Sequence, residues 1–167
     1  MGFIDFVKDA GEKLFGKGKA QASMKDAQSD PSNEAKSAAA NAAAGDAILD
    51  YIKTQSLNAT GLTVTFDGAT SVASVFGVAP DQATKEKIVL SAGNVSGVAQ
   101  VKDMMSVDKS EPESKFYTVV SGDTLSKISK AQYEDANAYM KIFEANKPML
   151  SHPDKIYPGQ VLRIPPK

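Results

Sequence analysis

The chain's one histidine, His152, stands in Ser151-His152-Pro153-Asp154, and there is no cysteine. A serine–histidine–aspartate relay would have to run through that turn-like stretch, where a solvated loop residue is the simpler reading. Without cysteine there are no disulfides, no thiol catalysis and no zinc–thiolate or iron–sulfur site, and one histidine cannot build a multi-histidine metal centre. Carboxylates pair at i, i+4 as Asp5 with Asp9 and Asp46 with Asp50, the spacing of a solvated helix face. An Asp-x-Asp-x-Asp-Gly calcium loop and a Gly-x-x-x-x-Gly-Lys-Thr phosphate cradle are both absent from the sequence. No two carboxylates stand out as an acid–base pair, and a non-enzyme is expected.

Over 167 residues, 19 basic side chains balance 20 acidic ones, a net charge of -1. That balance argues against a coat for nucleic acid or anionic lipid. Arg163 is the only arginine, and arginine is the residue favoured for bidentate phosphate and guanine recognition. The first residues, Met1-Gly2-Phe3-Ile4-Asp5-Phe6-Val7-Lys8, carry charge too early for a secretory signal. No window approaches the roughly 20 apolar residues of a membrane span. A cytoplasmic monomer, binding neither nucleic acid nor membrane, is expected.

The elements that would position a site divide the chain into an α+β protein of two small domains. Residues 3–15 fit a short leading helix with Phe3, Phe6, Val7 and Ala10 on one face and Gly11 as its terminator. So short a helix must dock on something. Residues 16–45 read as an alanine- and serine-rich linker becoming a nascent helix: eight of the 13 residues from Ala35 to Ala47 are alanine, which favours helix but buries little area. Residues 46–107 read as an αββαβ unit. Asp46 is expected to cap its first helix, and Leu62, Val64 and Phe66 alternate along a strand. Asp67-Gly68 marks a turn, and Val72–Val78 is a second strand. Pro80-Asp81-Gln82 opens the second helix, Gly93 is expected just past its end, and Val98–Val107 is the last strand. The helices would cover one face of a mainly antiparallel sheet. Residues 108–115 are a charged linker containing Pro112, and residues 116–167 read as a βααβ unit.

That last unit carries Tyr117-Thr118-Val119, Ser121-Gly122-Asp123-Thr124-Leu125, Ile142-Phe143-Glu144-Ala145-Asn146 and Ile156-Tyr157-Pro158-Gly159-Gln160-Val161-Leu162. It resembles a LysM domain. Gly122 suits the tight strand-to-helix turn, and Pro158-Gly159 a turn returning the last strand beside the first. The middle unit, with Val75-Phe76-Gly77-Val78 and Gly93-Asn94-Val95-Ser96-Gly97-Val98, is similar to a BON domain. With the leading segment added, the whole resembles the small bacterial BON-LysM potassium-binding proteins of the cytoplasm.

The resemblance implies an ion sensor or buffer in which a bound potassium ion stabilises a compact arrangement of the two domains. Rubidium and caesium, also large monovalent ions, are expected to substitute. Potassium is often held by backbone carbonyls in place of its hydration shell, so it leaves little side-chain signature. The last carbonyls of a helix ending near Gly11 lack intrahelical partners, and the glycine-flanked loop 93–97 can turn its carbonyls to one side. The expected ligands are therefore the carbonyls of Val7, Ala10 and Gly11 with those of Gly93, Val95 and Val98. Neither the Asn94 nor the Ser96 side chain is expected to coordinate the ion, so alanine at either position is expected to leave potassium binding largely intact. As an alternative, the LysM resemblance implies a cell-envelope protein binding peptidoglycan or another N-acetylglucosamine polymer. Its groove would lie between Gly122, Asp123, Thr124 and Leu125 on one side and Ile156, Tyr157, Pro158 and Gly159 on the other. An unknown protein partner through the LysM unit is the remaining possibility.

Overall fold

The structure, a computed structural model, describes residues 2–6 and 34–167. It is an α+β protein. Strand β1 (Gly2–Asp5), helix α1 (Glu34–Thr54), strands β2 (Thr60–Asp67) and β3 (Val72–Asp81), helix α2 (Gln82–Gly93) and strand β4 (Gln100–Lys109) make the first unit. Strand β5 (Lys115–Thr118), helices α3 (Leu125–Tyr133) and α4 (Tyr139–Ala145) and strand β6 (Val161–Ile164) make the second, with a 3-10 turn at Ala136–Ala138.

The four-stranded sheet has the order β1-β4-β3-β2. Its outer pairs are antiparallel, and its central pair, β3 with β4, is parallel. A parallel pair needs a crossover connection, and α2 supplies it. That helix starts at Gln82 with Asp81 as its N-cap, while Pro80 remains in β3: the Asp81 carboxylate accepts from the Thr84 N–H at 2.7 Å, a standard N-cap contact.

Residues 2–5 are a strand and not the opening of a helix. The segment fits both periods, and the period of two prevails because β4 offers an edge: Phe3 lies opposite Lys102 and Ile4 opposite Val101. Ile4 and Phe6 turn toward the core while Phe3 and Asp5 stay exposed. The rest of the expected helix, residues 7–15, lies outside the described residues.

Asp46 is not an N-cap. It is an exposed residue in the middle of α1, which runs unbroken from Glu34. The alanines upstream propagate the helix, and Ala44, Ala47, Ile48 and Ile52 bury its inner face. Gly45 permits close approach to the sheet, since a Cβ there would stand 2.6 Å from the Val64 carbonyl oxygen.

In the second unit β5 and β6 pair antiparallel, Tyr117 opposite Leu162. Leu125, Ile128, Ile142, Phe143, Leu150 and Leu162 fill the core beneath them. The two cores meet, because Met149 and Val161 of the second unit belong to the apolar cluster of the first.

Candidate functional site

The leading segment and the loop after α2 meet at one contact. The Phe6 N–H donates to the Ala99 carbonyl at 2.8 Å, continuing the β1–β4 ladder. Its ring, 7% exposed, lies on Gly93 so closely that a Cβ there would stand 2.0 Å from the ring's Cζ and 2.2 Å from both Cε atoms. Gly93 is therefore required for a reason other than the expected one. It is the last residue of α2, not a left-handed residue beyond it, and Asn94 is the C-cap with φ -83. The positive φ of the loop belongs to Gly97, at +98.

The backbone from 94 to 99 is tightly bound. The Val95 N–H donates to the Ala92 carbonyl at 3.4 Å and the Val98 N–H to the Val95 carbonyl at 3.2 Å, while the Ala99 N–H donates to the Ser71 carbonyl at 2.9 Å. The side chains of Val95 and Val98 are wholly buried. They act as pegs that fix where their peptide groups lie. Of the six expected carbonyl donors, Gly93, Val95 and Val98 share this one loop, and Val7, Ala10 and Gly11 lie outside the described residues. Among the described residues no three His, Cys, Asp or Glu side chains gather as a metal site. A carbonyl that accepts one hydrogen bond retains a second lone pair, so this loop can present neutral oxygen donors of the kind that suit a large monovalent cation.

The Asn94 side chain, not expected to coordinate the ion, has a structural task in the fold. It is completely buried. Its Oδ1 accepts from the Val161 N–H at 3.1 Å, and its Nδ2 donates to the Val161 carbonyl at 3.0 Å and to the Leu90 carbonyl at 3.2 Å. The loop thus grips the first residue of β6 in the other unit. Ser96 is partly exposed and makes no comparable contact among the described residues.

A second bond between the units lies along α2. Arg163 of β6 donates to Glu86, with side chains 10% and 5% exposed. The other Glu86 oxygen accepts from Gln82 at 2.9 Å and from the Ser114 N–H at 2.8 Å. Burial pushes the Glu86 carboxyl up. The bonds from Gln82, Ser114 and Arg163 outweigh that and hold it below the ordinary glutamate range. The chain's only arginine is therefore a fastener between its two units.

In the second unit, Gly122 turns at φ +87 and Thr124 caps α3 by accepting from the Lys127 N–H at 3.2 Å. Asp123 braces the turn by accepting from the Tyr117 hydroxyl at 2.8 Å and the Val120 N–H at 3.0 Å. A cavity of about 380 Å³ opens beside it, lined by Thr124, Leu125, Ser126 and Tyr139, with His152, Pro153 and Asp154 opposite. Thr124 and Leu125 are brought to that groove. Ile156 packs on the core, and Gly159 bonds back to the Val119 carbonyl at 2.8 Å, with the exposed Pro158 between. Tyr157 is 2% exposed and neighbours Tyr51 of α1, where burial raises both phenols. Residues 152–154, which form the facing wall, carry no signal in the sequence beyond a lone histidine in a turn.

The LysM domain family model matches residues 117–165. The chain is 46% identical over 169 aligned positions to the potassium binding protein Kbp of Escherichia coli O6:H1, covering 99% of each. It is 44% identical over 79 residues to an uncharacterized protein of Deinococcus radiodurans, covering 46% of this chain and 30% of that one. No described helix is long and apolar enough to cross a membrane.

Proposed function

Because this chain belongs to the family of the Escherichia coli potassium binding protein Kbp, we propose that it binds potassium through backbone carbonyls and serves as a cytoplasmic potassium sensor or buffer without catalytic activity. The ligands in this reading are the carbonyls of Val7, Ala10 and Gly11 from the leading segment and of Gly93, Val95 and Val98 from the loop after α2. The ion then holds the BON and LysM units in one compact arrangement. The observation that carries the reading is the packing of Phe6 on Gly93. It brings the leading segment against the loop, and Val7 is the next residue along the chain. Carbonyl oxygens are neutral and suit one positive charge of low hydration cost, whereas a divalent ion would call for carboxylates.

An ion bound only by the folded chain stabilises it by about 2.7 kcal/mol at one hundred times its Kd. For a chain of this size that raises the melting temperature by about 5–10 °C. Melting scans in matched chloride salts are expected to show this rise in potassium, rubidium and caesium and a smaller one in sodium. Deleting residues 1–15 is expected to abolish it. Equal melting temperatures in potassium and sodium would defeat the reading.

Glycan binding through the LysM unit is a second reading, supported by the groove between Thr124 and His152. Titration with chitin oligosaccharides is expected to perturb Tyr139 and His152 resonances, and a flat titration would remove it.

A further inference from the structure

Strand β6 has β5 on one edge, and its other edge is closed by two side chains. Asn94, the C-cap of α2, pairs with both backbone polar groups of Val161, its N–H and its carbonyl. Asn146, the C-cap of α4, does the same at Arg163: its Oδ1 accepts from the Arg163 N–H at 2.8 Å, and its Nδ2 donates to the Arg163 carbonyl at 2.8 Å. Each amide also donates to the carbonyl four residues earlier, Leu90 at 3.2 Å and Ile142 at 2.7 Å. The pairing fixes both amide orientations, since only an oxygen can accept from a strand N–H. The two asparagines are equivalent in chemistry and burial, with 0% and 1% exposure. They differ in reach: the Asn94 Nδ2 also donates to the Met149 Sδ at 3.4 Å, and the two side chains start from different units. Asn146 belongs to the same unit as β6, whereas Asn94 belongs to the loop 93–98 of the other.

We propose that Asn94 is the positioning residue through which the potassium loop and the LysM unit communicate: docking of β6 on its amide holds the loop's carbonyls in place, and an ion in the loop tightens the grip on Val161. The proposal rests on the reading that potassium binds at Gly93–Val98. Asn94 lies between two expected donor residues, so its peptide cannot shift without moving theirs. Its side chain is anchored 67 residues away in sequence. Coupling between two sites is reciprocal, so each binding event must favour the other by the same factor.

The twin clamps supply an internal control. The Val161 and Arg163 amides sit two residues apart on one strand, each bonded to an asparagine Oδ1, and only the first crosses between units. Amide exchange on the intact chain, followed by NMR in potassium and in sodium chloride, is expected to slow about tenfold at Val161, within the usual range of coupling factors, and to stay unchanged at Arg163. Calorimetry on the same samples reports ion binding itself. Equal change at both amides, or none at Val161 while calorimetry shows potassium bound, would overturn the proposal. No binding heat at all would remove the underlying reading and this proposal with it. Two variants approach the clamp from opposite sides. Asn94→Ala removes the amide. Val161→Pro removes the N–H it accepts from, at the first position of a strand, where proline is tolerated. Each is expected to weaken potassium binding about tenfold. Wild-type affinity in either variant, with its NMR spectrum showing both units folded, would refute the coupling.

Discussion

Replacing Gly93 by alanine adds one methyl group where the Phe6 ring lies. Gly93 is the last residue of α2 and needs no left-handed backbone, so the substitution carries no dihedral strain. By helix propensity alone alanine gains about 1 kcal/mol over glycine. Against this, the ring must leave its site, since the methyl would stand 2.0–2.2 Å from three of its carbons, far inside van der Waals contact. Phe6 is 7% exposed and packed with the core of the first unit. Losing a buried phenylalanine typically costs about 3–5 kcal/mol. The net expectation is a loss of about 2–4 kcal/mol, the difference between those two effects, read from urea unfolding curves. Potassium binding is expected to fall with it, because the leading segment loses its seat beside the loop. A double-mutant cycle sharpens the test. In a Phe6→Ala background there is no ring to strike, so Gly93→Ala should become neutral or mildly stabilising there, reversing its sign. A Gly93→Ala variant as stable as the parent, or the same loss in both backgrounds, would refute the packing argument.

Two further outcomes follow from the junction between the units. Arg163→Met leaves the buried Glu86 carboxylate without its cation and is expected to cost about 3–5 kcal/mol in urea unfolding; a Glu86→Gln, Arg163→Met double variant should recover part of that. Glu86 also sets an acid limit. Its folded pKa lies below the ordinary value of 4.5, so the unfolded chain binds its proton first. The stability it contributes is complete above that value and is lost as pH falls through the depressed one. Acid unfolding below about pH 4.5 should accordingly be steeper in the parent than in Glu86→Gln, and parallel curves would count against the bonding described at Glu86.

What could be read from the sequence was what is decided locally. The helix start at Asp81, the Gly122 turn and the alternating strand Leu62–Phe66 each depend on neighbours within a few residues, and each stands in the structure. The leading segment misled because Gly2–Phe6 satisfies periods of both two and 3.6. The choice between them is made by the β4 edge, nearly a hundred residues later. Asp46 misled for a different reason. A good capping residue is also tolerated on an exposed helix face, and the alanines before it continue the helix. Gly93 was singled out correctly as a residue that must be glycine, but through a rule about helix ends, when the operative cause is an aromatic ring arriving from the other end of the chain.

The asparagines and the arginine are the instructive omissions. Asn94 and Asn146 each follow directly on a helix, a position where asparagine ordinarily needs no explanation beyond capping. That they also close the edge of β6 is a non-local fact no spacing could announce. Arg163 did carry a signal. In a chain whose other basic residues are all lysine, one arginine calls for a reason. Lysine is a strongly hydrated point charge that serves well on a surface, whereas a planar guanidinium is less costly to bury and keeps several donors in fixed directions. A single arginine on an apolar strand, between Leu162 and Ile164, therefore points to a buried carboxylate elsewhere in the fold. The scarcity of arginine argues against nucleic acid as a partner. The same scarcity, asked instead where the one exception sits, leads to Glu86 and to the face of α2 on which the second unit rests.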